Sequence, residues 1–339
     1  MQSWIQGGRV CCSHSTMVRL CFLVALLLPM VVSAQSKVPR LCFLTFDPGT
    51  VQSPSPRFEA FFQGLRDLGY VHGKTITIHY LSADGRNERF PALAAECVRL
   101  SADVIAVSTT PAALAAKSGT STIPIVMLGL GDPVGTGILD SLARPGGNVT
   151  GMSSLTTELA VKRLELLKQA VPRISRVLVL AYLVDPIAPL QVKTLKEAAA
   201  SLGMTLHIRD IRTADDLSAA FEAGARERAE GLLITSASIF FVQRARVAEL
   251  ARRHGLPAMH PSSMFAVDSG GLMAYEVIES DLHRRAALYV DRILKGAKPS
   301  DLAVQQPTKF KLVINLKTAK ALGLTISPSM LLQADDVIQ

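Results

Sequence analysis

The sequence predicts an α/β fold with two lobes, each built on a doubly wound parallel sheet, joined by a hinge of several crossing strands. Three observations lead to this prediction. Apolar runs of strand length alternate with amphipathic stretches of helix length along the chain. Key apolar runs are continuous, as expected for strands covered on both faces. The pattern restarts near residue 150, and Gly-rich segments link the two halves.

The first half contains polar turns that end in proline. Thr110-Pro111 and Asp132-Pro133 each follow an apolar run. A capping side chain followed by proline is typical of a helix start, so we expect a helix after each turn. The expected elements of this half are strand 40–46, helix 58–68, strand 75–80, helix 91–100, strand 103–107, strand 124–128 and a turn-rich crossing at 142–151.

The second half repeats the alternation. Thr156 and Thr213 are the expected caps of two of its helices. The expected elements are helices 156–170, 186–202, 214–228, 239–254, 281–294 and 318–322, and strands 176–182, 204–211, 231–235, 257–260, 272–275 and 311–316. The predicted organisation is an N-terminal lobe at 35–150, a C-terminal lobe at 151–274, a return to the N-terminal lobe at 275–305, and a C-terminal extension on the C-terminal lobe at 306–339.

Residues 1–34 have the pattern of a signal peptide. Arg19 precedes a 13-residue apolar run at 20–32, and small residues follow at Ser33 and Ala34. The run is short for a membrane span. We therefore expect cleavage after about Ala34 and a periplasmic protein, with an uncleaved anchor as the alternative. The pattern does not decide whether translation starts at Met1 or Met17. No cysteine directly follows the expected cleavage point, which argues against lipidation.

Two cysteines remain beyond the leader. Cys42 falls in a predicted strand and Cys97 in a predicted helix, both at positions typical of core. We favour two buried free thiols, although an exported protein can also pair them. The spacing of Cys and His residues matches no metal site, so no metal is expected.

The composition and the motifs argue against several function classes. The 339 residues carry a formal net charge of +8, but the basic residues are scattered rather than arranged in a stripe, so we expect no nucleic-acid partner. The chain has no G-x-S-x-G nucleophile motif and no Walker A motif. Gly129-Leu130-Gly131 follows a strand, but a third glycine is not at the dinucleotide spacing. We therefore expect neither an enzyme nor a cofactor.

Polar side chains gather at the predicted carboxyl ends of the strands, where open α/β sheets bind ligands. Any one of them could serve only in a cap or a turn, but together they indicate a binding crevice. The candidates are Asp47, Ser108, Thr109, Thr110, Pro111 and Asp132 in the first half, Tyr182, Asp185, Ser236 and Ser238 in the second, and Tyr275 and Glu276 on the second crossing.

The chemistry of these candidates suits a small ligand with a carboxylate. The helix start at Thr109 and Thr110 would attract a carboxylate through its N–H groups and its dipole. Asp132, Asp185 or Glu276 could pair with an ammonium group. Tyr182 or Tyr275 could cover an apolar or aromatic part.

Long stretches resemble the exported substrate-binding proteins of ABC transporters, in the branch with a type I periplasmic-binding fold that includes tryptophan and tyrosine/phenylalanine binders. The resemblance covers nearly all of the chain after the leader. It is carried by FFQGLRDLGYVHGKTITIHY (61–80), FPALAAECVRLSADVIAVSTTPAALAAK (90–117), TIPIVMLGLGDPVGTGILDSLARPGGNVTG (122–151), KRLELLKQAVPRISRVLVL (162–180), GGLMAY (270–275) and LHRRAALYVDRILKGAKPSDLAVQQPTKFKLVINLKTAKALGLTI (282–326).

The resemblance implies a protein that closes on a small ligand and delivers it to an ABC permease in the inner membrane. It places ligand loops at 108–111 and 131–133. The chain departs from the family's common motifs at Ala181-Tyr182-Leu183, at Ser263-Met264-Phe265 and at Tyr275-Glu276. These loops face the ligand, so the departures predict a changed specificity. The alternatives are a sensor protein that feeds a membrane receptor and, less favoured, an exported α/β enzyme.

Overall fold

Five parallel strands form the sheet of the first lobe, in the order β2-β1-β3-β4-β5. Every residue of β3 is buried, which explains why its sequence is a continuous apolar run. The strands are β1 Arg40–Thr45, β2 Thr77–Ser82, β3 Val104–Val107, β4 Ile125–Leu130 and β5 Val149–Ser153.

Helices cover both faces of this sheet. The phenylalanines of α1 pack around Phe43 of β1, with ring centroids 5.1 to 5.6 Å apart. The helices that follow the strands are α1 Glu59–Asp67, α2 Phe90–Arg99 and α3 Thr110–Gly119, and short 3₁₀ helices lie at Pro56–Phe58 and Asn87–Arg89.

Seven strands form the sheet of the second lobe, in the order β12-β11-β10-β9-β8-β6-β7. Neighbouring strands are parallel except for β10 and β11, which are antiparallel. The strands are β6 Arg176–Ala181, β7 Thr205–Asp210, β8 Gly231–Ile234, β9 Ala258–His260, β10 Met273–Val277, β11 Phe310–Asn315 and β12 Asp336–Ile338.

The remaining helices follow the same alternation. Their bounds are α4 Thr156–Ala170, α5 Ala188–Ser201, α6 Asp216–Arg226, α7 Ser238–Val242, α8 Arg244–Arg253, α9 Ser263–Val267, α10 Glu279–Leu294, α11 Leu316–Ala321 and α12 Pro328–Leu331, with a 3₁₀ helix at Pro299–Asp301.

Three segments carry the chain between the two sheets. The first leads from β5 into α4, and the second leads from β10 into α10, which packs on α1 and on the first sheet. The third starts beside β5, where Ser153 N donates to Gln305 O at 2.8 Å, and leads into β11. Both the start of α4 and the start of α10 therefore lie where the lobes meet.

The structure is a computed structural model that describes Gly7, Gly8 and residues 37–339. Contacts divide the chain into residues 1–37 and a compact unit of residues 38–339, which contains both sheets. The predicted signal peptide, residues 1–34, lies outside the described residues except for Gly7 and Gly8. In the described part, no helix is both long enough and apolar enough to cross a membrane.

The structure corrects several element predictions. Asp132 and Pro133 begin a tight turn rather than a helix, because Asp132 Oδ1 accepts from Gly135 N at 2.8 Å and closes the turn. Thr156 and Thr213 are not caps: Leu155 precedes α4 without a capping side chain, and Asp215 precedes α6. The predicted helix 239–254 is two helices, α7 and α8, and β5, α9, α12 and β12 were not predicted.

The preference for free thiols at Cys42 and Cys97 is wrong. The two residues form a disulfide between β1 and α2, with Cα atoms 5.7 Å apart. Both side chains are fully buried between the sheet and the helix that covers it. Their burial was expected, but burial alone does not show that two cysteines lie on facing surfaces of the same core.

Candidate functional site

A cavity lies between the lobes at the carboxyl ends of the central strands of both sheets. Its enclosed volume is about 70 Å³. Side chains from both lobes form its wall. They are Arg57, Ser108, Thr109, Thr110, Leu130, Ser154, Thr156, Leu159, Arg163, Asp185, Ile187, Ser236, Ala237, Ser238, Phe241, Pro261, Glu276, Val277 and Glu279, with the backbone of Gly129 and Gly131.

The start of α3 forms the wall on the side of the first lobe. Thr109 is its N-cap, and the Thr109 Oγ1 atom accepts from Ala112 N at 3.3 Å. Proline follows in the first turn, as the sequence indicated. The N–H groups of a first turn have no acceptor within the helix, so proline, which has no N–H, is well tolerated there. Ser108 lies just before the cap, with its backbone N bonded to Leu44 O at 3.2 Å. The positive end of the α3 dipole therefore points toward the cavity.

One stripe of α4 forms part of the opposite wall. Thr156, Leu159 and Arg163 are three to four residues apart and so share a helix face. The Thr156 Oγ1 atom is buried without a hydrogen-bond partner among the described residues. Gly131 of the first lobe lies so close that a Cβ atom there would clash with Thr156 Oγ1 and come within 3.1 Å of Ile187 Cγ1. The lobes are thus in direct contact at this point.

Arg163 is a buried cation that links β10 to the segments that follow β8 and β9 in the second lobe. Its side chain donates from Nε to Tyr275 O at 2.7 Å, from Nη1 to Ser236 Oγ at 3.0 Å and from Nη2 to Pro261 O at 3.2 Å. The residue is only 2% exposed. Burial lowers the pKa of Arg163 to about 10, against the opposing effect of the Glu276 carboxylate. The guanidinium is therefore still protonated at neutral pH.

Two buried carboxyl groups face the same cavity. Asp185 is 7% exposed, and burial raises its pKa to about 6, although Asp185 Oδ1 accepts from Ile187 N at 3.2 Å. Burial also raises the pKa of Glu276, while hydrogen bonds from Ser263 and Ser262 oppose that rise. A nearby cation lowers the pKa of a carboxyl group and favours its charged form, so each of these two groups can pair with an ammonium group.

Arg57 closes one end of the cavity. Its Nη1 atom is 3.3 Å from Asp47 Oδ1, and its Nε atom is 3.6 Å from Glu279 Oε2. Burial alone would lower the pKa of Arg57, but these two carboxylates outweigh burial and raise it. The guanidinium carbon lies 3.9 Å from the ring centroid of Phe241, which belongs to the second lobe. This cation–π contact joins the lobes.

The structure brings seven of the twelve candidate residues to the cavity wall. These are Ser108, Thr109, Thr110, Asp185, Ser236, Ser238 and Glu276. The other five lie outside the wall. They are Asp47, Pro111, Asp132, Tyr182 and Tyr275.

These five residues make other contacts. Asp47 pairs with Arg57 and accepts from Ser55 Oγ at 3.0 Å, and Asp132 closes its turn. Pro111 lines a different groove. The Tyr182 hydroxyl accepts from Asn87 Nδ2 at 3.1 Å, and the Tyr275 ring stacks on Phe310 with centroids 6.1 Å apart. Neither tyrosine ring is on the cavity wall, where Phe241 supplies an aromatic ring instead.

Four polar or aromatic residues of the wall were not among the candidates predicted from the sequence. They are Arg57, Thr156, Arg163 and Phe241. A signal was available for Arg163. Leu159, Arg163 and Leu167 are spaced by four, so a charged residue interrupts the apolar stripe of a helix. Arg57 follows a Ser/Pro-rich loop, where no periodicity marks an inward-facing residue.

The described residues contain no group of three or more His, Cys, Asp or Glu side chains that could hold a metal ion. The cavity instead combines hydroxyl groups, apolar side chains, three carboxyl groups and two arginines, one of which has no carboxylate at ion-pair distance among the described residues. This combination can bind a small molecule that carries both charges and an apolar part.

Comparison with known proteins agrees with this architecture. Residues 54–338 match the family model of ABC transporter substrate binding proteins. The chain is 27% identical over 266 residues to a tyrosine-binding protein of Clostridioides difficile (strain R20291), covering 78% of this chain and 76% of the relative.

Two solved structures share the fold. One is the ABC domain in complex with L-Trp from Streptococcus pneumonia, with a TM-score of 0.80 at 24% identity, covering 88% of this chain and 99% of that one. The other is a conserved domain protein from Vibrio cholerae O1 biovar El Tor, with a TM-score of 0.80 at 27% identity, covering 89% and 100%. The predicted fold class, the type I periplasmic-binding fold, is confirmed. The chain belongs to the family of ABC transporter substrate-binding proteins.

Proposed function

We propose that the protein is the periplasmic solute-binding component of an ABC importer and that its ligand is an α-amino acid with an apolar side chain. The observation that carries this proposal is the cavity between the lobes, which both lobes line. Closure of such a clamp is favoured by a ligand that contacts both lobes, because only the closed state makes both sets of contacts.

The two ends of an amino acid match different parts of the wall. The start of α3 at Thr109 and Thr110 suits the carboxylate. Asp185 suits the ammonium group, since it is buried and has no basic partner at ion-pair distance in the described part of the chain. Leu159, Ile187 and Phe241 offer apolar surface to the side chain. A simple aromatic acid would leave Asp185 without a partner.

A thermal-shift screen of the purified protein tests the ligand class, after unfolding and refolding to remove any carried ligand. The panel contains amino acids, aromatic acids, other small carboxylates, nucleosides and sugars. A ligand at about 100 times its dissociation constant adds about 2.7 kcal/mol to the free energy of unfolding. We expect a raised melting temperature with apolar amino acids. Stabilisation by sugars or nucleosides alone would contradict the proposal.

The import role needs a separate test. The cognate permease and ATPase are reconstituted in liposomes, and uptake of the labelled ligand is measured with and without the binding protein. We expect uptake only when the protein and ATP are both present. Ligand binding without any effect on uptake or ATP hydrolysis would instead favour a sensor protein that feeds a membrane receptor.

A further inference from the structure

Arg163 has fewer charged partners than a buried guanidinium normally requires. Its three hydrogen bonds go to two carbonyl oxygens and one hydroxyl, all of them neutral acceptors. No carboxylate of the described residues lies at ion-pair distance from it, although its side chain is almost completely buried. Burying a charge without a counter-charge is unfavourable.

The guanidinium also has unused donors on a surface that faces empty space. An arginine side chain has five N–H donors, and three of them are used here. Arg163 lines the cavity between the lobes, in line with Leu159 and Thr156 on the same face of α4. The Thr156 Oγ1 atom on this face is likewise buried and lacks a partner among the described residues.

The other charges of the wall do not neutralise Arg163 directly. Arg57 is the other arginine of the wall, and it already has two carboxylates, Asp47 and Glu279. Glu276 accepts from Ser263 N at 2.8 Å and influences Arg163 only from a longer distance. An anion in the cavity would therefore find one cation without an ion-pair partner, and that cation is Arg163.

We propose that Arg163 is a ligand-contacting residue that binds the carboxylate of the bound amino acid from the second lobe. This inference rests on the proposed function. The carboxylate would then be bound by the start of α3 on the first lobe and by Arg163 on the second. A ligand without a carboxylate would then lose contacts on both sides of the cleft, and the carboxylate would select for closure as well as for affinity.

The test compares acids with their amides. Affinities for L-leucine, L-tyrosine and L-tryptophan, each paired with its α-carboxamide, are measured by titration calorimetry on the wild-type protein and on Arg163→Met. We expect the wild type to prefer the acid by at least about 30-fold, since truncating one partner of a buried charge pair is strongly unfavourable. In Arg163→Met we expect this preference to fall to within about 3-fold, because the acid loses its counter-charge and the amide does not.

Lys162→Met is the matched control. Lys162 is the neighbouring residue on α4, it carries the same charge, and half of its side chain is exposed beside Glu165. The same substitution there removes one positive charge outside the cavity. The preference for the acid should stay within about twofold of the wild-type value, as is usual for an exposed charge.

The outcomes separate the two levels of the proposal. If Arg163→Met weakens acid and amide by the same factor, Arg163 serves only to hold β10 and the segments after β8 and β9 together, and this inference is wrong while the proposed function stands. If the wild type binds none of the acids, the proposed function and this inference both fail.

Loss of three hydrogen bonds could unfold Arg163→Met, so Arg163→Lys provides a second route. Thermal unfolding followed by circular dichroism shows which variant is folded. Lysine keeps the charge but cannot donate two parallel hydrogen bonds to a carboxylate as arginine can, so we expect the acid preference to shrink by about threefold without disappearing. An unchanged preference in a folded Arg163→Lys would overturn the inference.

Discussion

Asp185 is an acidic residue whose charged form the ligand-free fold disfavours. It lies in the loop after β6, and its carboxyl group is buried in the cavity wall with one backbone hydrogen bond to Ile187 N. Burial raises its pKa from 3.8 to about 6. The folded protein therefore holds this proton more tightly than the unfolded chain does. The free energy of unfolding decreases as the pH rises from about 4 to about 6, and the loss persists at higher pH.

Replacing Asp185 by asparagine should therefore stabilise the ligand-free protein at neutral pH. A shift of this size corresponds to about 3 kcal/mol, most of which Asp185→Asn should recover at pH 7. Near pH 4 the gain should vanish, because wild-type Asp185 is then protonated in the fold. The measurement is denaturant unfolding of ligand-free protein at several pH values between 4 and 7.

Asp140→Asn is the control for this pH series. Asp140 is an exposed acid of the first lobe, so its substitution should change the free energy of unfolding by less than about 0.5 kcal/mol. A difference between Asp185→Asn and wild type that is the same at pH 4 and pH 7 would show that burial of the charge is not the cause.

At the scale of elements, the disulfide joins β1 to α2 on the side of the sheet away from the ligand. Cys42 is the third of the six residues of β1, whereas the cavity lies beyond the carboxyl ends of the strands. The bond links residues 55 positions apart. It therefore restricts a long loop of the unfolded chain, and neither cysteine lines the cavity.

Removing the disulfide should lower stability and leave binding unchanged. For a loop of this length the expected loss in the double variant Cys42→Ala/Cys97→Ala is about 4 kcal/mol. The measurement is denaturant unfolding together with the dissociation constant of a ligand found in the screen. Reductant should destabilise the wild type and have no effect on the double variant. A strongly weakened affinity would contradict the separation of disulfide and site.

At the scale of the whole molecule, polar and aromatic side chains add to the contact between the lobes beside the cavity. Arg57 of the first lobe lies over the Phe241 ring of the second, and Asn87 of the first donates to the Tyr182 hydroxyl of the second. Asp47 and Glu279 hold the Arg57 guanidinium in place before any contact with Phe241 is made. Closure thus brings a preorganised cation against an aromatic face.

The Arg57–Phe241 contact should contribute to ligand affinity by stabilising the closed state. Phe241→Leu keeps an apolar side chain but removes the aromatic face, and we expect a loss of affinity of about tenfold. Small-angle X-ray scattering with saturating ligand should show that the variant still closes, while the ligand-free variant is more open than the wild type.

Phe265→Leu is the matched control for this effect. The Phe265 ring contacts the Phe241 ring at 5.8 Å between centroids, and no contact joins it to Arg57 in the described structure. The Phe265→Leu substitution therefore changes the packing around Phe241 but leaves the Arg57–Phe241 contact in place. Equal losses of affinity in the two variants would show that general packing, and not the cation–π contact, is responsible.

Local patterns in the sequence determined the strand and helix alternation and the polar residues at the strand ends. Continuous apolar runs and proline-led turns act over a few residues, so 104–107 and the start at Thr110 could be predicted. The same reasoning failed at Asp132, where a capping residue and a proline begin a turn, because a helix also needs a following apolar stripe to bury.

Only the tertiary structure decided which polar residues share the cavity and how they are paired. Arg163 bonds to Tyr275 O across 112 positions in the chain, Cys42 pairs with Cys97, and Arg57 meets Phe241 from the other lobe. Such pairs arise from the packing of distant elements, and no local pattern carries them. The sequence determined that a ligand crevice follows the strands, and the packing of the two lobes determined which charges face it.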